Sequence, residues 1–350
     1  MPVPQFPVEI VAPDLSQWIG NGADIPGFIS FASGLPGPHV ALTALMHGNE
    51  IAGAIALDRL LRAGLRPRRG RLTFGFVNLA AFARFDPRQP TASRFVDEDM
   101  NRLWDRAILD GPRRSCELAR ARAIRPLIET VDVLLDLHSM LWLSGPLTLS
   151  GPAPAGRALA LGLGTPDLVV IDPGHASGRR LIDYARFQNG PAAACLVEAG
   201  QHWRAETVET MLASIAGCLH HTGILPEHPA LPARSRTPPR LAAVSATVTA
   251  DQPEFHFVEP FAGNTVLARA GTLIAREGMR EIRTPHDDCL LVMPNLRPAA
   301  GHTAIRLARF IDAGDSDAGD SDAGDSDAGD SVGSRAHDPL SYAAGKTEPP

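Results

Sequence analysis

Short apolar runs recur along the first two thirds of the chain, at His39 to Met46, Leu72 to Asn78, Val131 to Leu137, Leu168 to Ile171 and Ala194 to Val197. Runs of this length with few polar interruptions read as strands covered on both faces. Between them the apolar positions change to a helical period. Ala54, Leu57, Leu60 and Leu61 share one face of a predicted helix, and Val208, Met211, Leu212 and Ile215 share a face of another. Alternation of the two patterns predicts an α/β fold, a mixed and largely parallel sheet with helices on both faces.

The pattern breaks at Ile224 to Arg240, a proline-rich stretch that neither a helix interior nor a central strand accommodates. Beyond it, residues 241–311 show short β-type runs such as Ala243 to Val248 and Leu290 to Val292, punctuated by Gly, Pro and Asp. A small all-β domain over 236–311 is expected after a catalytic domain over 1–235. Four tandem copies of Asp-Ala-Gly-Asp-Ser then run from Asp312 to Ser331. With nothing apolar to bury, 312–350 is expected to be a disordered, low-complexity acidic tail. The repeat lacks the spacing of an EF-hand loop, which argues against calcium.

Charge changes this picture little. The formal net charge is -6, but residues 312–350 hold ten acidic and two basic side chains, so the body is close to neutral. Dispersed arginines and 5% aromatic residues leave no footprint for nucleic acid. The N-terminal MPVPQFPVEIVAPDL has no basic cluster before an apolar run, and no segment approaches the ~20 apolar residues of a membrane span. A cytoplasmic protein with no membrane partner is expected, and a homo-oligomer is compatible with the sequence. The four cysteines are scattered and form no CxxC pair, which leaves buried free thiols as the simplest reading.

Candidate chemistry lies at the strand ends. Met46-His47-Gly48-Asn49-Glu50 follows an apolar strand and precedes a helix, so His47 and Glu50 can face one metal ion, although Glu50 also suits a helix N-terminus for its charge alone. The run Leu134 to Ser139 ends a strand in Asp-x-His. His138 there is either a ligand, with Asp136 on the same strand face accepting from its ring, or a core histidine bonded to that aspartate. His47, Glu50 and His138 together make the His2Glu set of hydrolytic zinc sites that keep one position for water, and such ligands also accept cobalt or manganese. A third strand, Ala194 to Val197, delivers Glu198, a candidate general base. In the polar stretch Arg94 to Arg102, Arg94 can stabilise a developing oxyanion, while Asn101 and Arg102 can hold a carboxylate; each arginine alone also reads as a surface charge.

Taken together and in this order, the motifs resemble the succinylglutamate desuccinylase and aspartoacylase group of zinc-carboxypeptidase-like hydrolases. HGNE, Arg94 seven residues before Asn101-Arg102, Asp136-Leu137-His138 and the strand ending in Glu198 carry the resemblance over roughly residues 35–311. The similarity implies one zinc ion on His47, Glu50 and His138, Glu198 as base and then acid, Arg94 as polariser of the scissile carbonyl, and Asn101 and Arg102 as carboxylate ligands. Tyr184, fourteen residues before Glu198, takes the place of a substrate-contacting tyrosine by similarity. Two departures stand out. Gln188 sits where related enzymes place a further arginine, with Arg186 as the nearby substitute, and the 241–311 segment contains no tyrosine. N-acetylaspartate is therefore a doubtful substrate.

These readings predict a zinc-dependent amidohydrolase that removes an acyl group, such as succinyl or acetyl, from an N-acyl amino acid or related amine. Its partner is a small molecule carrying an amide and a carboxylate. A zinc metallocarboxypeptidase is the alternative within the same chemistry, and a non-catalytic metal-binding or small-molecule-binding protein the alternative outside it. No G-x-S-x-G elbow supports a serine hydrolase.

Overall fold

Each apolar run forms a strand, and the computed structural model, which describes residues 6–20, 24–235 and 237–312, adds several that the pattern did not reveal. In chain order the strands are β1 (Phe28–Ala32), β2 (His39–Ala44), β3 (Arg71–Phe76), β4 (Val133–Met140), β5 (Leu147–Ser150), β6 (Leu168–Ile171) and β7 (Ala193–Gln201). After the proline-rich stretch come β8 (Arg240–Thr249), β9 (His256–Phe257), β10 (Val266–Leu267), β11 (Leu273–Glu277), β12 (Arg280–Arg283), β13 (Cys289–Val292) and β14 (Thr303–Ile311). The helices are α1 (Ser16–Ile19), α2 (Ile51–Arg62), α3 (Leu79–Phe82), α4 (Arg106–Asp110), α5 (Cys116–Ile128), α6 (Pro154–Leu163) and α7 (Ala205–His221). The acidic repeats from residue 313 onward lie outside the described residues.

One mixed sheet runs β1-β3-β2-β4-β7-β5-β6-β8-β14-β13-β10, and β12-β11-β9 form a small second sheet. Strands β3, β2, β4 and β7 are mutually parallel, so their carboxyl ends share one edge of the sheet. Strand β5 turns back antiparallel to β7, and β6 and β8 continue parallel to β5. The segment after the linker therefore extends the same sheet through the pairing of β6 with β8. Residues 241–311 contain no helix.

The period of two along each strand sorts side chains onto two faces. Leu135 and Leu137 of β4 and Cys195 and Val197 of β7 pack in the core that α2, α6 and α7 cover. Leu134 of β4 and Ala194 and Leu196 of β7 face the other way, into the core that α5 covers through Leu118, Ala121 and Ile124. Asp136 and His138 follow Leu134 in steps of two, and Glu198 follows Leu196. The three polar groups thus share the α5 face. The register completes the placement, since His138 lies directly beside Glu198 across the β4–β7 ladder.

Candidate active site

At the end of β2 the backbone leaves the sheet through Leu45, whose φ of 62° is left-handed. A branched side chain in that region costs about 1–2 kcal/mol, and the turn aims the next segment across the sheet edge. Gly48 follows in a space closed by backbone, because a Cβ there would lie 2.4 Å from Ala81 C and Phe82 N. Only glycine lets the His47 to Glu50 turn pass under α3. Glu50 occupies the position before α2 but makes no side-chain cap. Its carboxylate instead turns inward, with Oε1 2.6 Å from His47 Nδ1 and Oε2 3.1 Å from His138 Nδ1.

One ligating atom from each of His47, Glu50 and His138 lies within 4.8 Å of the others, and all three residues are buried. Both imidazoles turn Nδ1 inward and are held from behind by carboxylates. Asp136 Oδ2 is 2.9 Å from His138 Nε2, and Asp99 Oδ1 is 3.0 Å from His47 Nε2. Asp136 is itself fixed by a 2.7 Å hydrogen bond from Thr43 Oγ1. Two imidazoles, one carboxylate and carboxylates behind the rings form a donor set suited to a borderline divalent cation.

The electrostatics agree with that use. Burial opposes the charge on Glu50, yet His47 and His138 hold its carboxyl well below the usual range. Burial likewise opposes a charged His138, but Asp136 and Glu50 raise it well above an ordinary histidine. In the cation-free protein a proton on His138 neutralises charge that a metal ion would neutralise instead. Glu198 has the opposite character. It is 9% exposed, its Oε2 is buried without a hydrogen-bond partner among the described residues, and burial pushes its carboxyl up to about 8. A lone carboxylate oxygen buried beside a cluster of this kind is placed to exchange a proton.

Arg94 joins this group from its loop. Nη2 donates to Asp99 Oδ2 at 3.1 Å and Nη1 is 3.6 Å from Glu50 Oε1. Glu198 is near enough to raise the Arg94 pKa. Asn101 is tied down by Leu181 N, which donates to Oδ1 at 2.9 Å, and Arg102 is partly open to solvent with Nη1 on Asn101 O. The structure does not bring Tyr184 to the cluster. Its ring is buried against Trp104, and its hydroxyl donates to Glu129 and accepts from Arg125 Nε at 3.0 Å. Arg186 also points elsewhere, to Val131 O and Asp132 at the amino end of β4, and Gln188 bonds Ile182 O.

Residues 36–145 match the model of the succinylglutamate desuccinylase/aspartoacylase catalytic domain. That stretch holds His47, Glu50, Arg94, Asn101, Arg102 and His138, so most of the candidate site lies in a region similar to that family's catalytic domain. Among solved structures, succinylglutamate desuccinylase from Vibrio parahaemolyticus superposes with a TM-score of 0.60 at 19% identity, covering 82% of this chain and 87% of that one. A succinylglutamate desuccinylase/aspartoacylase from Rhodobacter sphaeroides gives 0.60 at 20% identity, with 82% and 89% covered. The product-bound ectoine utilization protein EutE (DoeB) from Ruegeria pomeroyi gives 0.56 at 17%, with 80% and 88% covered. These likenesses establish the shared fold. No curated protein matches the chain by sequence. No helix among the described residues is long and apolar enough to cross a membrane.

Three contributors escaped the sequence reading. Asp99 binds both His47 and Arg94, although it stood in the polar stretch already singled out. His202 is buried, its Nδ1 2.8 Å from Ser139 Oγ, and burial drives its pKa down to about 4, so the ring is neutral. Arg306 lies buried on β14, and an arginine inside the run Ala304-Ile305-Arg306-Leu307-Ala308 was the available signal.

Proposed function

We propose that this protein is a hydrolase of the succinylglutamate desuccinylase/aspartoacylase family, a zinc-dependent deacylase of N-acyl amino acids or related amines carrying one zinc ion on His47, Glu50 and His138. The observation that carries the reading is the buried, unpartnered oxygen of Glu198, in register beside His138 and next to the converging His-Glu-His donors. Zinc bound there would polarise the scissile carbonyl and bring the pKa of a water molecule to about 7.

The protein's own groups supply the remaining steps. Glu198, ionised in the presence of a cation, takes a proton from the attacking water and returns it to the leaving amine nitrogen. Arg94 directs a guanidinium at the oxygen on which negative charge develops, a contact stronger in the transition state than in the ground state. Asp136 and Asp99 fix the two imidazoles by holding their outer N–H groups. Arg102, with the Asn101 amide beside it, binds a substrate carboxylate and so sets the distance between that charge and the amide.

The test joins metal content to turnover. Full-length protein and Glu198→Ala are assayed for bound zinc and for hydrolysis of N-acetyl, N-succinyl and N-formyl amino acids. About one zinc per chain in both proteins, with turnover only in the wild type, is the expected result. Zinc with an inert panel but cleaved C-terminal peptides would make the protein a carboxypeptidase, and absence of any metal would overturn the mechanism.

A further inference from the structure

The stretch that brings Arg94, Asp99, Asn101 and Arg102 to the site has almost no regular structure of its own, only a 3-10 turn at Met100–Arg102. Ordering such a chain costs conformational entropy at every residue, so its placement has to be held from outside. Glu117, in the first turn of α5, does the holding. It is fully buried, and three successive backbone N–H groups of the stretch converge on its carboxylate. Val96 N donates to Oε1 at 2.6 Å, and Asp97 N and Glu98 N donate to Oε2 at 3.0 and 3.3 Å.

Three N–H groups in a row around one anion form a nest, filled here by a side chain of the protein itself. Burial opposes the charge on Glu117, and the amides of Val96, Asn78 and Asp97 outweigh it, so the carboxyl lies below its ordinary range. Asp97 Oδ2 accepts from Cys116 N at 2.7 Å, so the start of α5 and the stretch grip each other in both directions.

The same carboxylate reaches the turn that carries His47 and Glu50. Asn78 Nδ2 donates to Glu117 Oε1 at 3.1 Å, while Asn78 Oδ1 accepts from Ala81 N at 3.2 Å and caps α3. Asn78 N donates to Leu45 O at 2.8 Å, at the left-handed residue where the chain leaves β2, and the α3 backbone is the surface on which Gly48 rests. Gly48 N in turn donates to Arg94 O at 3.1 Å. The His47 to Glu50 turn and the Arg94 to Arg102 stretch therefore meet twice, directly through Gly48 and again through Asn78 at Glu117.

We propose that Glu117 is a positioning residue: its carboxylate, seated in the Val96 to Glu98 nest and tied to Asn78, sets the aim of Arg94 and Arg102 without touching substrate. The kinetic part of the inference rests on the deacylase reading; the structural part, that one buried charge orders the stretch, does not. The competing account is an acidic residue that favours the α5 N-terminus by its charge alone, which would leave the stretch and the kinetics untouched.

Full-length wild type, Glu117→Gln and Glu117→Ala are compared by hydrogen–deuterium exchange and, with zinc at saturation, by steady-state hydrolysis of the N-acyl amino acid panel. Glu117→Gln keeps the shape and one acceptor but turns an NH2 group toward N–H donors, and Glu117→Ala removes both acceptors. Exchange at Val96, Asp97 and Glu98 should quicken ~10- to 100-fold in Glu117→Gln and further in Glu117→Ala, with the β4 and β7 amides unchanged. On the best wild-type substrate kcat should fall ~10- to 100-fold as Arg94 loses its aim, and KM should rise as Arg102 does. A smaller folded fraction alone would lower the apparent kcat and leave KM where it was. Unchanged exchange at these three amides, exchange quickened equally in the central strands, or a lower kcat at constant KM overturns the proposal. If the wild type hydrolyses none of the panel, the deacylase reading fails separately and exchange decides: quickening confined to the stretch supports the role of Glu117, and its absence overturns it. Should Glu117→Ala not fold, Glu117→Gln carries both measurements.

Discussion

The sharpest quantitative expectation concerns Asp136, which touches neither substrate nor metal in the proposed mechanism. Its side chain is fully buried, accepts from His138 Nε2 at 2.9 Å through Oδ2 and from Thr43 Oγ1 at 2.7 Å through Oδ1. Asp136→Asn keeps the shape. The amide oxygen can still accept from His138, and the amide nitrogen can face a Thr43 hydroxyl that turns toward Leu135 O, 3.5 Å away. The imidazole keeps its tautomer and loses only the negative charge behind it. Zinc affinity should then fall ~10- to 100-fold, or about 1.4–2.7 kcal/mol, with a change in folding stability below about 1.5 kcal/mol. Asp136→Ala should cost more, because the His138 N–H and the Thr43 hydroxyl each lose a buried acceptor at about 1–3 kcal/mol apiece. The assay is competition for zinc against a colorimetric chelator at neutral pH, with thermal unfolding of the apo-proteins alongside. An affinity of Asp136→Asn within about twofold of the wild type would refute the reasoning, since charge behind the ring would then contribute nothing.

Other expectations follow from the same geometry. Glu198→Gln should bind zinc normally and lose ~10²- to 10⁴-fold in rate. Because the base must be ionised, wild-type kcat/KM should fall as pH drops through the Glu198 pKa, which lies at about 8 without a cation and lower with one. A pH profile of the residual Glu198→Gln activity with the same acid limb would contradict this. Asp172→Asn removes the one carboxylate on buried Arg306, while Arg180 keeps Asp183, and should destabilise the fold by about 3–5 kcal/mol in denaturant unfolding; a change below about 1 kcal/mol would contradict this. Cys195, Cys218 and Cys289 are buried, with burial pushing Cys218 up to about 12 and Cys289 up to about 11. A thiol reagent should therefore modify Cys116 first in the native protein and reach all four cysteines only in denaturant, as mass spectrometry of the labelled chain would show.

The sequence made the central strands visible because burial on both faces strips polar residues from them; β2, β3, β4, β6 and β7 all contain the runs read as strands. Strand β5, four residues long, and helix α5, which carries arginines and Pro126 among its apolar positions, left weaker patterns. Asp136, His138 and Glu198 were legible for a related reason, since they lie on β4 and β7 where the period of two fixes their face, and His47 and Glu50 were legible as a His-x-x-Glu turn between an apolar strand and a helix. Tyr184 and Arg186 were not, because they lie in short 3-10 turns between β6 and β7. Their spacing to Glu198 says nothing about direction there, and the hydroxyl found Glu129 instead. Asp99 and Arg306 depend on contacts across about fifty and more than a hundred residues of sequence, which periodicity does not encode.

The pairing of β6 with β8 has a consequence for anyone seeking a minimal enzyme. Leu168, Val169, Val170 and Ile171 hydrogen-bond to Arg240 through Ala243, so a protein cut at the proline-rich stretch would end its sheet in a bare Leu-Val-Val-Ile ribbon. Such a ribbon, apolar and without a charge or proline to blunt it, is a ready template for another copy. Truncation there should yield sticky, self-associating material rather than a smaller working catalyst, and the C-terminal strands serve the first part of the chain as its seal.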